Sequence, residues 1–455
     1  MVLNKKFLYL PIETKVRELD AKLLLALEAI QNDYVVIIGT DLFLQKIEKL
    51  PAGIILHKDA LNIRENYFKI AQEIGHKVVV LDEEGSVVFD WPSYLRKRVW
   101  PNTIKYVDLI LCWGKNQYKA IEDFTSKQKL DLKLSITAHP RIDLLRKPIS
   151  LYNKNEKIIK KTILINTHFS LCNFLQGNEE LILMLKNNKV IQNDKDLERY
   201  YRHVEYKNKL MQYYIQLVET ISKKYFEYEI ILRPHPSENE KTWIELTQNM
   251  KNVMVTKKHS VGYWINKAEL VIHTGCTTAI ETFLSEKVAI AFKPVRNEEF
   301  EIHLPDSIST QVNSVNDCMS EIDKILNGDF NTEEYFVNGK VILKNDIYIS
   351  ESNFAYENIF SEIDKLNIKQ HSFKAKDIKR IKSLYFMIKL KLTLINVRNM
   401  IFGKKSSNNK FERTSVEEIQ DILNKFQNIL NKKEDINIHK ILDNVFILSC
   451  NTNAK

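Results

Sequence analysis

Two short segments in the second half of the sequence bring together residue types that hold phosphate. Arg233-Pro234-His235-Pro236 directly follows the apolar run Glu229–Leu232, which reads as a strand. Each proline confines the residue before it to extended geometry, so His235 is held between two rigid units. An imidazole placed this way can donate a hydrogen bond to a phosphate, and the Arg233 guanidinium can add a charged contact. The plain alternative is that the prolines end the strand and His235 caps a turn. The second segment is His273-Thr274-Gly275-Cys276-Thr277-Thr278-Ala279-Ile280-Glu281, after the apolar run Leu270–His273. Gly275 permits close backbone approach. The hydroxyls of Thr274, Thr277 and Thr278 fall at the first turn of an expected helix, where unpaired amides and the positive end of the dipole meet. Glu281, one turn on, suits ribose hydroxyls. The alternative is an ordinary threonine cap with a solvated glutamate.

Acidic residues supply a further set. Asp82, Glu83 and Glu84 follow the apolar run Lys77–Leu81. Three adjacent carboxylates at the end of a buried strand need solvent or a cation to relieve them. One of them could serve as the base that deprotonates an acceptor hydroxyl; a solvated acidic turn is the equal alternative. Glu13 and Arg17 lie just after the first strand, where charge pairing at a helix start is the stronger reading. The chain has neither GxGxxG nor GxxxxGK[ST], which argues against a dinucleotide oxidoreductase and a P-loop ATPase. The DxD triplet Asp194-Lys195-Asp196 sits in a polar stretch, so no metal and no cofactor is expected. Arg233, His235 and the helix start would stabilise a departing phosphate without one.

These residues need a scaffold, and the hydrophobic pattern describes one. Over residues 1–150, strands are expected at Phe7–Leu10, Tyr34–Ile38, Gly53–Leu56, Lys77–Leu81, Leu109–Cys112 and Leu134–Thr137, with helix-period segments between them. Near-continuous apolar strands alternating with helices indicate a parallel sheet covered on both faces. A lysine-rich stretch, Tyr152–Lys161, precedes a second such series over 151–350. The expected fold is therefore α/β and GT-B-like: two Rossmann-like domains facing a cleft, plus a helical extension over 351–455. The 455 residues, 44% hydrophobic, suffice for two cores.

Five scattered cysteines without a CxxC pair suit a reducing cytoplasm rather than a disulfide framework. The net charge of +9 is matched by the excess in residues 371–405, ten Lys/Arg against one Asp, so the two domains are near neutral and no nucleic-acid partner is expected. That stretch reads as a basic amphipathic helix carrying Leu384, Phe386, Met387, Leu390, Leu392 and Leu394. It would either touch the inner face of an anionic membrane or pack across the cleft. The segment Ser415–Leu448 reads as a small helical unit.

The chain resembles bacterial surface-carbohydrate biosynthesis proteins over roughly residues 7–300. The resemblance lies in Leu8-Tyr9-Leu10-Pro11-Ile12-Glu13, Arg17–Ala26, Asp82-Glu83-Glu84-Gly85, Leu111-Cys112-Trp113-Gly114, Pro140–Leu145, and the two phosphate segments. The His-Pro element and the hydroxyl-bearing helix start are similar to those of bacterial sialyltransferases, polysialyltransferases and Kdo transferases. The resemblance implies a glycosyltransferase using a CMP-activated nonulosonic acid or Kdo, with a glycan or lipid-linked glycan as acceptor. His235, Pro236, Thr277 and Thr278 would then engage the CMP phosphate, and Glu281 the ribose. At Ala138-His139 the chain departs from the family's Gly-Asn, a difference expected to affect only a linker turn. Competing readings are a CDP-glycerol-type polyol phosphotransferase, a non-catalytic sugar-nucleotide-binding scaffold, and a nucleotide-sugar 2-epimerase.

Overall fold

A computed structural model describes residues 4–85, 87–153, 161–187, 190–401 and 413–450. The chain forms two compact units, Met1–Tyr152 with Lys344–Lys455, and Asn153–Leu343.

The first unit begins with six parallel strands: β1 (Asn4–Ile12), β2 (Tyr34–Thr40), β3 (Ile54–His57), β4 (Lys77–Leu81), β5 (Leu109–Cys112) and β6 (Leu134–Ile136). They lie in the order β2-β1-β3-β4-β5-β6. Alternate side chains of β1 enter different cores, Leu8 and Leu10 one and Phe7 and Tyr9 the other, which explains why the strand is apolar throughout. The helix Lys15–Gln31 covers the first core with Leu19, Leu23, Leu24 and Leu27.

The second unit holds β7 (Thr162–Asn166), β8 (Glu229–Arg233), β9 (Val253–Val255), β10 (Ala268–His273), β11 (Val288–Phe292) and β12 (Thr310–Val312). All pair in parallel, in the order β12-β11-β10-β7-β8-β9. Counted within the unit this is the 3-2-1-4-5-6 order of a Rossmann sheet. The winding reverses between β7 and β10, and ligands of such sheets gather beyond the carboxyl ends at that reversal.

The C-terminal residues differ from expectation. They are not a separate helical extension over 351–455, because residues from Lys344 onward complete the first unit. β13 (His371–Ser372) pairs with the start of β1, and the helix Ala375–Ile401 buries Ile381, Tyr385 and Ile388 in the second core. Helical periodicity is correct for Val416–Leu430, whose Ile419, Leu423 and Phe426 enter the first core. It fails beyond: β14 (Ile436–Leu442) and β15 (Val445–Cys450) form a hairpin that adds antiparallel to β2. The two-residue turn Asp443-Asn444, with Asn444 at φ 60°, closes that hairpin. Gly39 is required where the turn presses on β2, since a Cβ there would lie 2.0 Å from Asn444 O. The linker residues 154–160 and residues 402–405 of the basic stretch lie outside the described residues, as does the side chain of Leu392.

Candidate functional site

In the second unit, the carboxyl ends of β7, β8 and β10 carry most of the phosphate-type residues. Arg233 is the last residue of β8 and is 7% exposed. Its Nη2 donates to His259 O at 3.2 Å, its Nε has no partner, and no carboxylate pairs with it among the described residues. Burial pulls its pKa down, against a weaker upward effect of Glu281. A guanidinium in this state is costly unless an anion arrives.

His235 follows, half-buried, its ring 4.6 Å from that of His168, which follows β7. The Ser237 amide donates to His235 Nδ1 at 3.2 Å, so the ring proton belongs on Nε2. The loop is pinned from below by Glu238, which is fully buried. Its carboxylate accepts from His235 N at 3.0 Å, Trp243 Nε1 at 2.9 Å and Thr167 Oγ1 at 3.0 Å. Pro236 is exposed, and its carbonyl accepts from Lys257.

The segment after β10 is arranged differently from expectation. His273 is fully buried with both ring nitrogens engaged: Nδ1 accepts from Gly275 N at 2.9 Å, and Nε2 meets Ser309 Oγ at 2.9 Å. Ser309 Oγ itself donates to Pro305 O, so the His273 proton sits on Nε2. Burial, aided by Lys293, drops its pKa to about 3. His273 therefore shapes the turn as a neutral ring. Gly275 has φ +82°, and a Cβ would meet Asp306 Oδ1 at 3.1 Å. Beneath it the buried Lys293 pairs with Asp306 at 2.8 Å and Glu301 at 3.2 Å.

Thr274 is buried, and its hydroxyl has no partner among the described residues. Thr277 is exposed and its side chain does not cap the helix, while Thr278 Oγ1 accepts from Asn166 Nδ2 at 2.7 Å. The helix Thr278–Leu284 is only seven residues long, so hydrogen-bond donors matter here more than its dipole. Glu281 is half-buried on that helix.

The first unit gathers its charged residues at the carboxyl ends of β1 and β4, and the three consecutive carboxylates each have their own cation. Asp82, 4% exposed, accepts from Arg98 Nε at 3.0 Å and Tyr94 OH at 2.9 Å. Glu83, 3% exposed, lies 3.3 Å from Lys22 Nζ and 3.3 Å from His139 Nε2. Burial would raise its carboxyl pKa, but His139, Lys22 and Arg141 outweigh burial and hold it well below the usual range. Glu84 is exposed, with Arg17 Nη1 at 3.5 Å and Arg98 Nη1 at 3.9 Å. Lys22 also contacts Glu18, whose carboxylate accepts from the Glu13 and Thr14 amides. Glu13 is exposed and pairs with Lys58.

Ala138-His139 is not a remote linker detail. Ala138 adopts φ +62°, the left-handed conformation that suits glycine, and His139 Nδ1 caps the next helix by accepting from Arg141 N at 3.1 Å. His139 thus fills an asparagine-like capping role and also reaches Glu83. Trp113 stacks on it at 4.5 Å and donates to Asp82 O.

The sequence reading missed Asn166, His168, Glu238 and Lys207 in the second unit, and Glu18, Lys22 and His139 in the first. Asn166-Thr167-His168 was findable as a polar triplet ending an expected strand. Among the described residues no helix is long and apolar enough to cross a membrane. The Asp194-Lys195-Asp196 triplet forms the first turn of the helix Asp194–Lys224, capped by Asn193.

No protein-family model and no curated protein matches the chain. Among solved structures it is similar to the wall teichoic acid polymerase TagF, in a crystal soaked with CDPG. The TM-score is 0.50 at 12% identity, over 79% of this chain and 88% of that one. It is also similar to a UDP-GlcNAc 2-epimerase from Neisseria meningitidis bound to UDP-GlcNAc, with TM-score 0.45 at 12% identity, over 79% of this chain and all of that one. With two Rossmann-like sheets and the TagF likeness, the chain has a two-domain GT-B fold.

Proposed function

We propose that the protein is a glycosyltransferase that takes a sugar from a nucleotide-activated donor and passes it to a surface-glycan acceptor. The observation that carries this is Arg233: a buried guanidinium with no carboxylate partner among the described residues, at a strand end flanking the switch point, beside an imidazole whose proton is on Nε2. Both groups would bind the donor phosphate and take up the charge that develops on it as the sugar–oxygen bond breaks. The sequence resemblance favours a CMP-linked nonulosonic acid or Kdo as donor. Of the three acidic residues, Glu84 is proposed as the base that removes the acceptor hydroxyl proton. Asp82 and Glu83 are buried and committed to Arg98 and Lys22, whereas Glu84 is exposed.

Thermal stabilisation by CMP, CDP and UDP tests the donor reading, because a ligand that binds only the native state raises the midpoint. CMP stabilisation that is lost in His235→Ala supports it. Glycan production that survives His235→Ala would leave only a scaffold. UDP-sugar turnover without acceptor would make the protein an epimerase, and transfer of a glycerol phosphate unit from CDP-glycerol a polyol phosphotransferase.

We also infer that the helix Ala375–Ile401 rests on an anionic lipid surface. With Ile381, Tyr385 and Ile388 turned into the core, Phe386, Met387, Leu390 and Leu394 remain exposed among Lys376, Lys379, Arg380, Lys382 and Lys391. Co-sedimentation of the full chain with phosphatidylglycerol vesicles, but not with neutral ones, is the expected result. Equal failure with both would remove the inference.

A further inference from the structure

Lys207 is 9% exposed, and among the described residues no carboxylate pairs with it. Lysine is seldom buried without a partner. The other buried lysines near the two charged clusters have one: Lys22 has Glu18 and Glu83, and Lys293 has Asp306 and Glu301. Lys207 has no such carboxylate among the described residues; its ammonium lies 5.8 Å from the centre of the Tyr206 ring.

Its position follows from its helix. Lys207 and Tyr214 are seven residues apart on Asp194–Lys224 and so share a face. Tyr214 donates its hydroxyl to His273 O at 2.5 Å, at the carboxyl end of β10. Two turns towards the helix N-terminus, a further ~10 Å of rise, place Lys207 beyond the strand ends. Its surroundings agree: its charge acts on His168 after β7, and its own is influenced by Cys276 and Glu238. Cys276 also acts on Arg233, so the two cations, neither paired with a carboxylate among the described residues, share the same end of the sheet. Thr274, whose buried hydroxyl has no partner among the described residues, lies at that end too.

We propose that Lys207 forms a second anion position beside the one at Arg233 and His235, so that the donor presents two anionic groups. The second group is either another phosphate or the carboxylate of an acidic sugar. The inference rests on the nucleotide-donor reading. Burial, with Lys293 adding to it, depresses the Lys207 pKa, a cost that an anion at this position would offset.

Lys207→Met in the full chain keeps the stem and removes the charge. Calorimetric titration would use inorganic phosphate, pyrophosphate, CMP, CDP and CMP-N-acetylneuraminate. The variant is expected to lose roughly 10- to 100-fold in affinity for pyrophosphate and for the doubly anionic nucleotide ligand. CMP and phosphate should change by no more than about twofold, and the ligand-free melting temperature should hold or rise. Selective loss of CDP identifies a phosphate, and selective loss of CMP-N-acetylneuraminate a carboxylate. An equal loss for CMP, or no loss for any ligand, overturns the second position. If wild type binds pyrophosphate through Lys207 but no nucleotide, the donor reading falls and the anion position stands. If wild type binds neither pyrophosphate nor CDP nor CMP-N-acetylneuraminate, the position falls.

Discussion

Glu238→Gln should loosen the His235 loop by an amount that the hydrogen bonds allow to be worked out. One carboxylate oxygen accepts from His235 N at 3.0 Å and the other from Trp243 Nε1 at 2.9 Å, while Thr167 Oγ1 lies within 3.1 Å of both. The Thr167 hydroxyl can turn to accept from an amide, but the two N–H donors cannot. Whichever way the glutamine amide sits, its NH2 faces one of them. A stranded buried donor costs about 1–3 kcal/mol, and losing charge assistance about 1 more, giving about 2–4 kcal/mol. For a domain of this size that is a fall of about 4–16 °C in its melting transition. Differential scanning calorimetry, with nucleotide titration at a temperature where the variant is folded, reads both consequences. Affinity should fall as well, because the amide of His235 has lost its anchor. A variant that melts within about 1 °C of wild type and binds nucleotide normally would refute the claim that Glu238 holds the loop.

Three further outcomes follow from the packing. Ending the chain before Ile436 removes the hairpin and exposes the edge of β2 at Val36–Gly39, so the protein should aggregate or lose the first unit's transition; a truncated protein with both transitions intact would contradict this. Arg98→Met leaves the buried Asp82 with Tyr94 but no cation, and should cost about 3–5 kcal/mol in a urea titration, against a much smaller loss if the pair were solvated. Burial holds His57 at about 4 and His273 at about 3, below the ordinary value near 6.5. Their folded-state pKa values are depressed, so the unfolded chain takes up protons first, and stability falls as pH drops from about 6.5 towards 4. Each should contribute a loss of about 2 kcal/mol at pH 5; a flat urea midpoint between pH 7.5 and 5 would show the rings to be accessible.

The parallel sheets were legible because strands buried on both faces are continuous apolar runs, as in Val35–Ile38 and Ile230–Leu232. Arg233 and His235 were legible because prolines frame them locally. The C-terminal hairpin was not: Ile436–Leu442 is short and half polar, and its place is set by pairing through β15 to β2, hundreds of residues away in sequence. His273 looked like a ligand until its two nitrogens were seen to be occupied by Gly275 and Ser309. Glu238 and Lys207 have no local signature. One is defined by three donors that converge on it, the other by acids that do not. Lys22 and His139 were hidden for the same reason, since only the fold brings them to Glu83.

Nucleotide titration of wild type and Arg233→Met tests whether the Arg233 guanidinium holds a nucleotide phosphate. CMP or CDP is expected to bind wild type, and the variant to bind at least about tenfold more weakly. Its ligand-free melting temperature should not fall, because the substitution removes a buried charge that has no carboxylate partner among the described residues. Equal binding by the two proteins, or no nucleotide binding by wild type, would show that Arg233 holds no nucleotide phosphate.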